Sequence, residues 1–265
     1  MEWTALWVGI LLERLKPGVG ADAWRHSIRA GVERVLSSSL ADRDNHPAWS
    51  WALGVIFPAV LVQFILGGWD GWLSWLIQVA LVYLVMSWGA YSDALSAQDR
   101  DSPAPEPNSG RQASSEHRAE VVLHQVMGPL LALFLGQIVG LPWFMLVGYV
   151  LTREWQGVVA QPTAERADSI GLWSGMIWHG VDAVATRLAL LVMALVGRFD
   201  AVFEVWLDSA PRWRESHRAL WQRGLGAAMG ISPDDQPFEP VDQHFALVIR
   251  SVLLLIALNT LLAWL

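Results

Sequence analysis

Residues 49–88 read WSWALGVIFPAVLVQFILGGWDGWLSWLIQVALVYLVMSW. Two apolar runs, Trp49 to Leu66 and Trp69 to Trp88, are separated only by Gly67-Gly68-Trp69-Asp70-Gly71. Each is near the roughly 20 residues that a helix needs to cross the hydrocarbon layer of a bilayer, and the Gly-rich turn does not continue a helix cheaply. Trp49, Trp51, Trp69, Trp72 and Trp88 fall at the ends of the runs. There an indole can bury its ring and keep its N–H among the headgroups. The segment predicts a helical membrane hairpin, and with it an all-α, polytopic membrane protein.

The rest of the chain agrees with that reading. Of 265 residues, 54% are hydrophobic and 16% charged, with a mean hydropathy of +0.35, which is too apolar for an ordinary soluble domain of this length. Val126 to Leu151 is apolar but broken at Gly128-Pro129 and Gly140-Leu141-Pro142. A second hairpin is preferred to one broken span, because only a returning chain keeps Arg111 and Arg118 on the same side as Arg153 and Arg166. Phe245 to Leu265 predicts a C-terminal span whose single charge, Arg250, can snorkel to the headgroups. Trp3 to Leu12 is shorter, and half-insertion and a full crossing both remain open for it. With no basic n-region and no cleavage-site pattern, that first segment is expected to be retained.

Basic residues cluster in the long segments, at Arg14 to Arg43, Arg100 to Arg118 and Arg153 to Arg223, while the short turns carry none. The positive-inside rule then predicts that the long loops are cytoplasmic. The expected organisation is an N-terminal membrane region, residues 1–102, a flexible Pro- and Ser-rich linker, residues 103–116, and residues 117–265 with the second hairpin, cytoplasmic amphipathic helices and the last span. Gly175, His179, Asp182 and Thr186 recur at helical spacing within the apolar stretch 172–196, so that helix should pack a polar stripe inward or lie along the membrane surface. Trp206 to Gln236 reads as a soluble helical patch with Gly224 and Gly230 as breakers.

A net charge of -7 argues against a nucleic-acid partner. The absence of cysteine excludes disulfides, thiolate nucleophiles and iron–sulfur clusters. The sequence has no Walker-type phosphate loop, no Gly-x-Ser-x-Gly elbow and no dinucleotide-binding turn, so no cofactor is expected. His117, Glu120 and His124 share one helix face and form a weak metal candidate, against the plainer reading of a solvated face. Asp182 and Arg187, ionisable groups in an apolar run, are either a functional pair or an ion pair that fixes packing, although five residues is a poor pairing distance on a helix. Glu13 and Arg14 at the end of the first apolar run carry the same two readings. His26, His217 and His244 read as surface residues.

Several short stretches, in order, resemble the AmpE family of bacterial inner-membrane proteins. They are Leu12-Glu13-Arg14-Leu15, then Ala90-Tyr91-x-x-Ala94-x-Ser96-x-x-Asp99, then Gly148-Tyr149 followed by Arg153-Glu154-Trp155-Gln156, and finally Val181-Asp182 through Arg187-Leu188 to Ala194-Leu195-x-Gly197. They span about three quarters of the chain. The family's Asp-Trp-x-Pro-x-Arg-Leu pattern stands here as Asp182-Ala183-Val184-Ala185-Thr186-Arg187-Leu188, without its Trp and Pro. The resemblance implies a non-catalytic modulator of signalling in the β-lactam or cell-wall stress response. It would present cytoplasmic loops to a soluble partner or a small cell-wall-derived ligand, with Glu13, Arg14, Tyr91, Arg153, Asp182 and Arg187 as the binding candidates. A weaker likeness to the CobD/CbiB membrane enzymes implies an alternative in corrinoid amide synthesis. Their Gly-Asp-Pro and His-Pro signature is replaced here by Lys16-Pro17-Gly18 and a distant His46-Pro47. An accessory subunit of a larger membrane complex is the third expectation.

Overall fold

A computed structural model describes residues 2–15, 21–37, 47–68, 72–85, 121–159, 169–212, 216–230 and 241–262. Among the described residues every regular element is helical. The helices are α1 (Glu2–Leu15), α2 (Ala21–Ser37), α3 (Pro47–Trp51), α4 (Phe57–Gly68), α5 (Trp72–Val85), α6 (Gly128–Val139), α7 (Pro142–Val159), α8 (Ser169–Val196), α9 (Phe199–Ser209), α10 (His217–Met229) and α11 (Val241–Leu262). Two π-helical turns, Ala52–Ile56 and Val122–Met127, lead into α4 and α6.

Proline places both π-turns. In each, the last regular amide before a proline reaches back five residues, Phe57 N–H to Ala52 and Gly128 N–H to Leu123, and Pro58 or Pro129 follows. A proline inside a helix has no N–H and its ring crowds the carbonyl four residues earlier, so the widened turn relieves the crowding without ending the helix. The break at residues 140–142 is of a different kind. Gly140 takes φ 80°, a left-handed conformation that glycine adopts without a steric penalty, and Pro142 opens the next helix. Helices α6 and α7 pack against each other across this turn.

Among the described residues three helical stretches are long and apolar enough to cross a membrane: Ala48–Gly68, Val122–Val139 and Leu172–Val196. Trp72–Val85 and Ala246–Leu262 are shorter apolar helices. Only 22% of the apolar window of the first stretch is buried, and Phe57, Leu61 and Phe64 point outward with Trp49 and Trp72 near its ends. So large an exposed apolar face suits hydrocarbon better than water. The third stretch, expected to pack a polar stripe inward or to lie along the membrane surface, has the length and composition of a span. Of its polar stripe Asp182 and Thr186 are buried, with Thr186 Oγ1 donating to Asp182 Oδ1 at 3.4 Å, while His179 is exposed.

Neighbours in space are not simply neighbours in sequence. Helix α5 packs mainly on α1, where Trp75 Nε1 donates to Thr4 Oγ1 at 2.7 Å, and α4 packs mainly on α7. Residues from both sides of the expected linker share one core, Val82 and Val85 with Val122, Met127, Trp143 and Leu190. The linker itself, 103–116, lies outside the described residues. A smaller cluster of Val32, Leu36, Val55, Trp155 and Val158 fastens α2 to α7. Two sequence expectations are corrected. Gly224 does not break a helix but lies inside α10, where it lets Leu190 of α8 approach closely; only Gly230, at φ 78°, ends the helix. His217 is buried rather than on the surface.

Candidate functional site

Pro129 sets the chemistry of the site. With Gly128 N–H committed to Leu123 and no N–H on Pro129, the carbonyl of His124 lacks the usual helical donor. The guanidinium of Arg153 on α7 supplies one, Nη1 donating to His124 O at 2.8 Å. The other edge of Arg153 holds its neighbour, with Nη2 and Nε 2.7 and 3.2 Å from Glu154 Oε1. Arg29 from α2 takes the second carboxylate oxygen, Nε to Oε2 at 2.8 Å. The bridge ties α2 to α7 through a carboxylate only 3% exposed.

On the same wall the His124 ring is set between two oxygens. Its Nδ1 lies 3.4 Å from Tyr149 Oη and 3.6 Å from Asp182 Oδ1, the latter an ion-pair distance too long for a hydrogen bond. Trp178 of α8 packs on both rings, with centroids 5.4 Å from His124 and 5.8 Å from Tyr149. Tyr149 can reach this position because residue 128 is glycine; a Cβ there would collide with the phenol. Arg25 Nη2 donates to Gln125 Oε1 at 3.0 Å. Together Arg25, Arg29, Arg153, His124, Glu154 and Gln156 line a polar pocket of about 330 Å³.

Among the described residues the pocket is lined by three guanidiniums and one carboxylate, in a chain whose net charge is -7. Such a lining suits an anion: arginine presents several donors in a planar fork that matches phosphate or carboxylate.

The candidates named from sequence separate. Arg153 and Asp182 come together around His124. Arg187 lies elsewhere and is buried, donating to the carbonyls of Ala183 at 3.1 Å, Ser209 at 3.1 Å and Arg212 at 3.3 Å. A cation there closes the C-terminal end of α9, where carbonyls lack partners. Arg187 thus reaches the end of α9, whereas Asp182 faces His124. Glu13 and Arg14 lie near the end of α1, and their side chains are outside those described. Tyr91, His117 and Glu120 lie outside the described residues. Among the described residues no group of three metal-ligand side chains occurs.

Sequence reading missed Arg25, Arg29, Gln125 and Trp178, which lie far apart in the chain and follow no motif. It also missed a histidine pair, His179 Nδ1 and His217 Nε2 at 3.0 Å. A scan against protein-family models, a search of curated proteins and a search of solved structures each found no match.

Proposed function

We propose that this chain is a non-catalytic, multi-pass protein of a bacterial inner membrane, similar in role to the AmpE family, and that it modulates signalling in the β-lactam or cell-wall stress response. In this reading 48–68 with 72–85, and 122–139 with 142–159, cross the membrane and return, and 172–196 and 246–262 add two further crossings. The face bearing α2 and the polar pocket is cytoplasmic, in keeping with its arginines. There it meets a soluble partner or a small ligand.

One observation carries the reading. Arg153 and Asp182, two residues at which the chain resembles the family, meet around His124 at a polar pocket beside helices of membrane-crossing length. Ionisable groups in such a place are more often functional than decorative, since each loses hydration there.

The test is β-lactamase activity against inducer concentration in a strain lacking only this gene. The induction curve should shift on deletion and return with the wild-type gene. Asp182→Ala should fail to restore it while remaining in the membrane by immunoblot. An unchanged curve on deletion overturns the signalling reading.

A further inference from the structure

Beside the polar pocket lies a second space of different character. It has a volume of about 520 Å³ and an almost wholly apolar lining that includes Leu131, Leu135, Phe144, Met145, Val181 and Val184. Both volumes are of the size that small-molecule sites take. The two spaces are stacked along the same helices. On α7 the polar pocket is lined by residues from 153 to 157 and the apolar cavity by residues from 144 to 152. Along the segment that leads into α6, the pocket takes 121–125 and the cavity 128–135. On each helix the centres are roughly seven residues apart, on the order of 10 Å at about 1.5 Å per residue. Tyr149, which lines the cavity, and Trp178, which lines the pocket, form the boundary, their rings 5.8 Å apart.

We propose that these two spaces together bind an anionic amphiphile. Its charged headgroup rests on Arg25, Arg29 and Arg153, and its hydrocarbon tail lies in the cavity between α6, α7 and α8. Among the described residues the pocket lining carries three guanidiniums and one carboxylate, a donor set that matches an anionic headgroup. The tail follows from the position of the cavity, beside Val122–Val139 and Leu172–Val196, on the side of the pocket that runs along the apolar part of the helices. A lipid with a phosphate headgroup meets both requirements, whereas free phosphate uses only the first. The inference deepens the ligand-site reading given above, but binding is measurable whether or not β-lactamase induction depends on this gene.

Two glycines allow the tail space to be tested without disturbing the headgroup. Gly148 and Gly180 both line the cavity, and a Cβ at either meets nothing within 4 Å. A larger side chain would therefore occupy the cavity without first displacing its walls, and replacing a helical glycine favours the helix.

The experiment uses full-length protein, purified and delipidated in a mild detergent, with radiolabelled dioleoylphosphatidic acid as probe. Expected is saturable binding that dioleoylphosphatidylcholine and dioleoylglycerol displace at least tenfold less well than unlabelled phosphatidic acid. Arg25→Gln and Gly148→Leu, which lie at opposite ends of the site, should each weaken binding about tenfold and leave the unfolding temperature unchanged. Should one variant unfold, Arg29→Gln or Gly180→Leu tests the same end. Equal binding of phosphatidic acid and phosphatidylcholine would mean a nonspecific lipid shell and overturn the proposal. If inorganic phosphate displaces the probe completely and neither glycine variant weakens binding, the site takes free phosphate and the lipid assignment falls.

Discussion

The side-chain oxygen of Gln63, well inside a helix of membrane-crossing length, accepts the backbone N–H of Trp143 at 3.0 Å. It accepts that of Phe144 at the same distance. The first amides of a helix have no partner within it, and where water is absent another element must supply one. Gln63 is thus the N-terminal cap of α7, delivered from α4.

Gln63→Leu should leave two amides at the start of α7 without this acceptor. An unsatisfied buried polar group costs about 1–3 kcal/mol, so the substitution should lower the thermal unfolding temperature in detergent by several degrees, whereas the nearby outward Phe64→Leu should leave it almost unchanged. Equal temperatures for Gln63→Leu and wild type would mean that the amides find other partners.

The Arg153–Glu154 contact predicts non-additive substitutions. Arg153→Met removes a donor from His124 O and leaves Arg29 as the partner described for a carboxylate only 3% exposed. Removing one member of a buried pair costs about 3–5 kcal/mol. Glu154→Gln in the same chain should return part of that loss, because the neutral amide no longer needs a counter-charge. Urea unfolding at pH 7 of wild type, Arg153→Met, Glu154→Gln and the double variant checks this; a double variant no more stable than Arg153→Met would remove the electrostatic account.

How much of this was legible in the sequence depends on how local each feature is. The helices at 48–68 and 122–139 could be read because a span is a property of consecutive residues, and Gly140-Leu141-Pro142 marks its own turn. Helix α8 was harder, since the spacing of His179, Asp182 and Thr186 marked a polar face, to be packed inward or laid along the membrane surface, and drew attention away from the stretch's length. The pairing of α5 with α1 depends on shape, as where Gly9 meets Val82, and no pattern in the sequence announces it. The site was only half visible. Arg153 and Asp182 stand out as charges beside apolar runs, but Arg25 and Arg29 sit on an unremarkable amphipathic helix whose position is decided by Trp155 and Val158, over a hundred residues away. The signal that could have exposed the site is Pro129, which strands a carbonyl and so requires a donor from elsewhere.

The histidine pair predicts a pH response in the acid range. Burial, then the His179 ring and the Arg187 guanidinium, push the His217 imidazole down to about 4 from an ordinary 6.5. The unfolded chain then takes up this proton first. Stability should fall as pH drops from about 6.5 to about 4 and level off below that, where both states are protonated at this site. His217→Phe should flatten that part of the curve. His179→Ala should raise the pKa of His217, measured by NMR of labelled histidine in micelles. An unshifted titration in His179→Ala would leave burial and Arg187 as the whole cause.

Gly128 and Tyr149 supply the sharpest steric test. A methyl group at residue 128 would overlap the phenol oxygen, so Gly128→Ala must push Tyr149 away from His124 and Trp178 or open the helix pair. Overpacking of this kind costs about 1–3 kcal/mol, more than the 0.8–1.0 kcal/mol or so that alanine gains over glycine in a helix; the net effect should be destabilising. Removing the hydroxyl relieves the closest contact, so Gly128→Ala with Tyr149→Phe should be more stable than Gly128→Ala alone, although Tyr149→Phe by itself loses the hydroxyl's contact with His124 at 3.4 Å. Unfolding midpoints of the four proteins in one detergent decide the matter. If Tyr149→Phe gives no rescue, the close approach of these two residues is not what glycine at 128 provides.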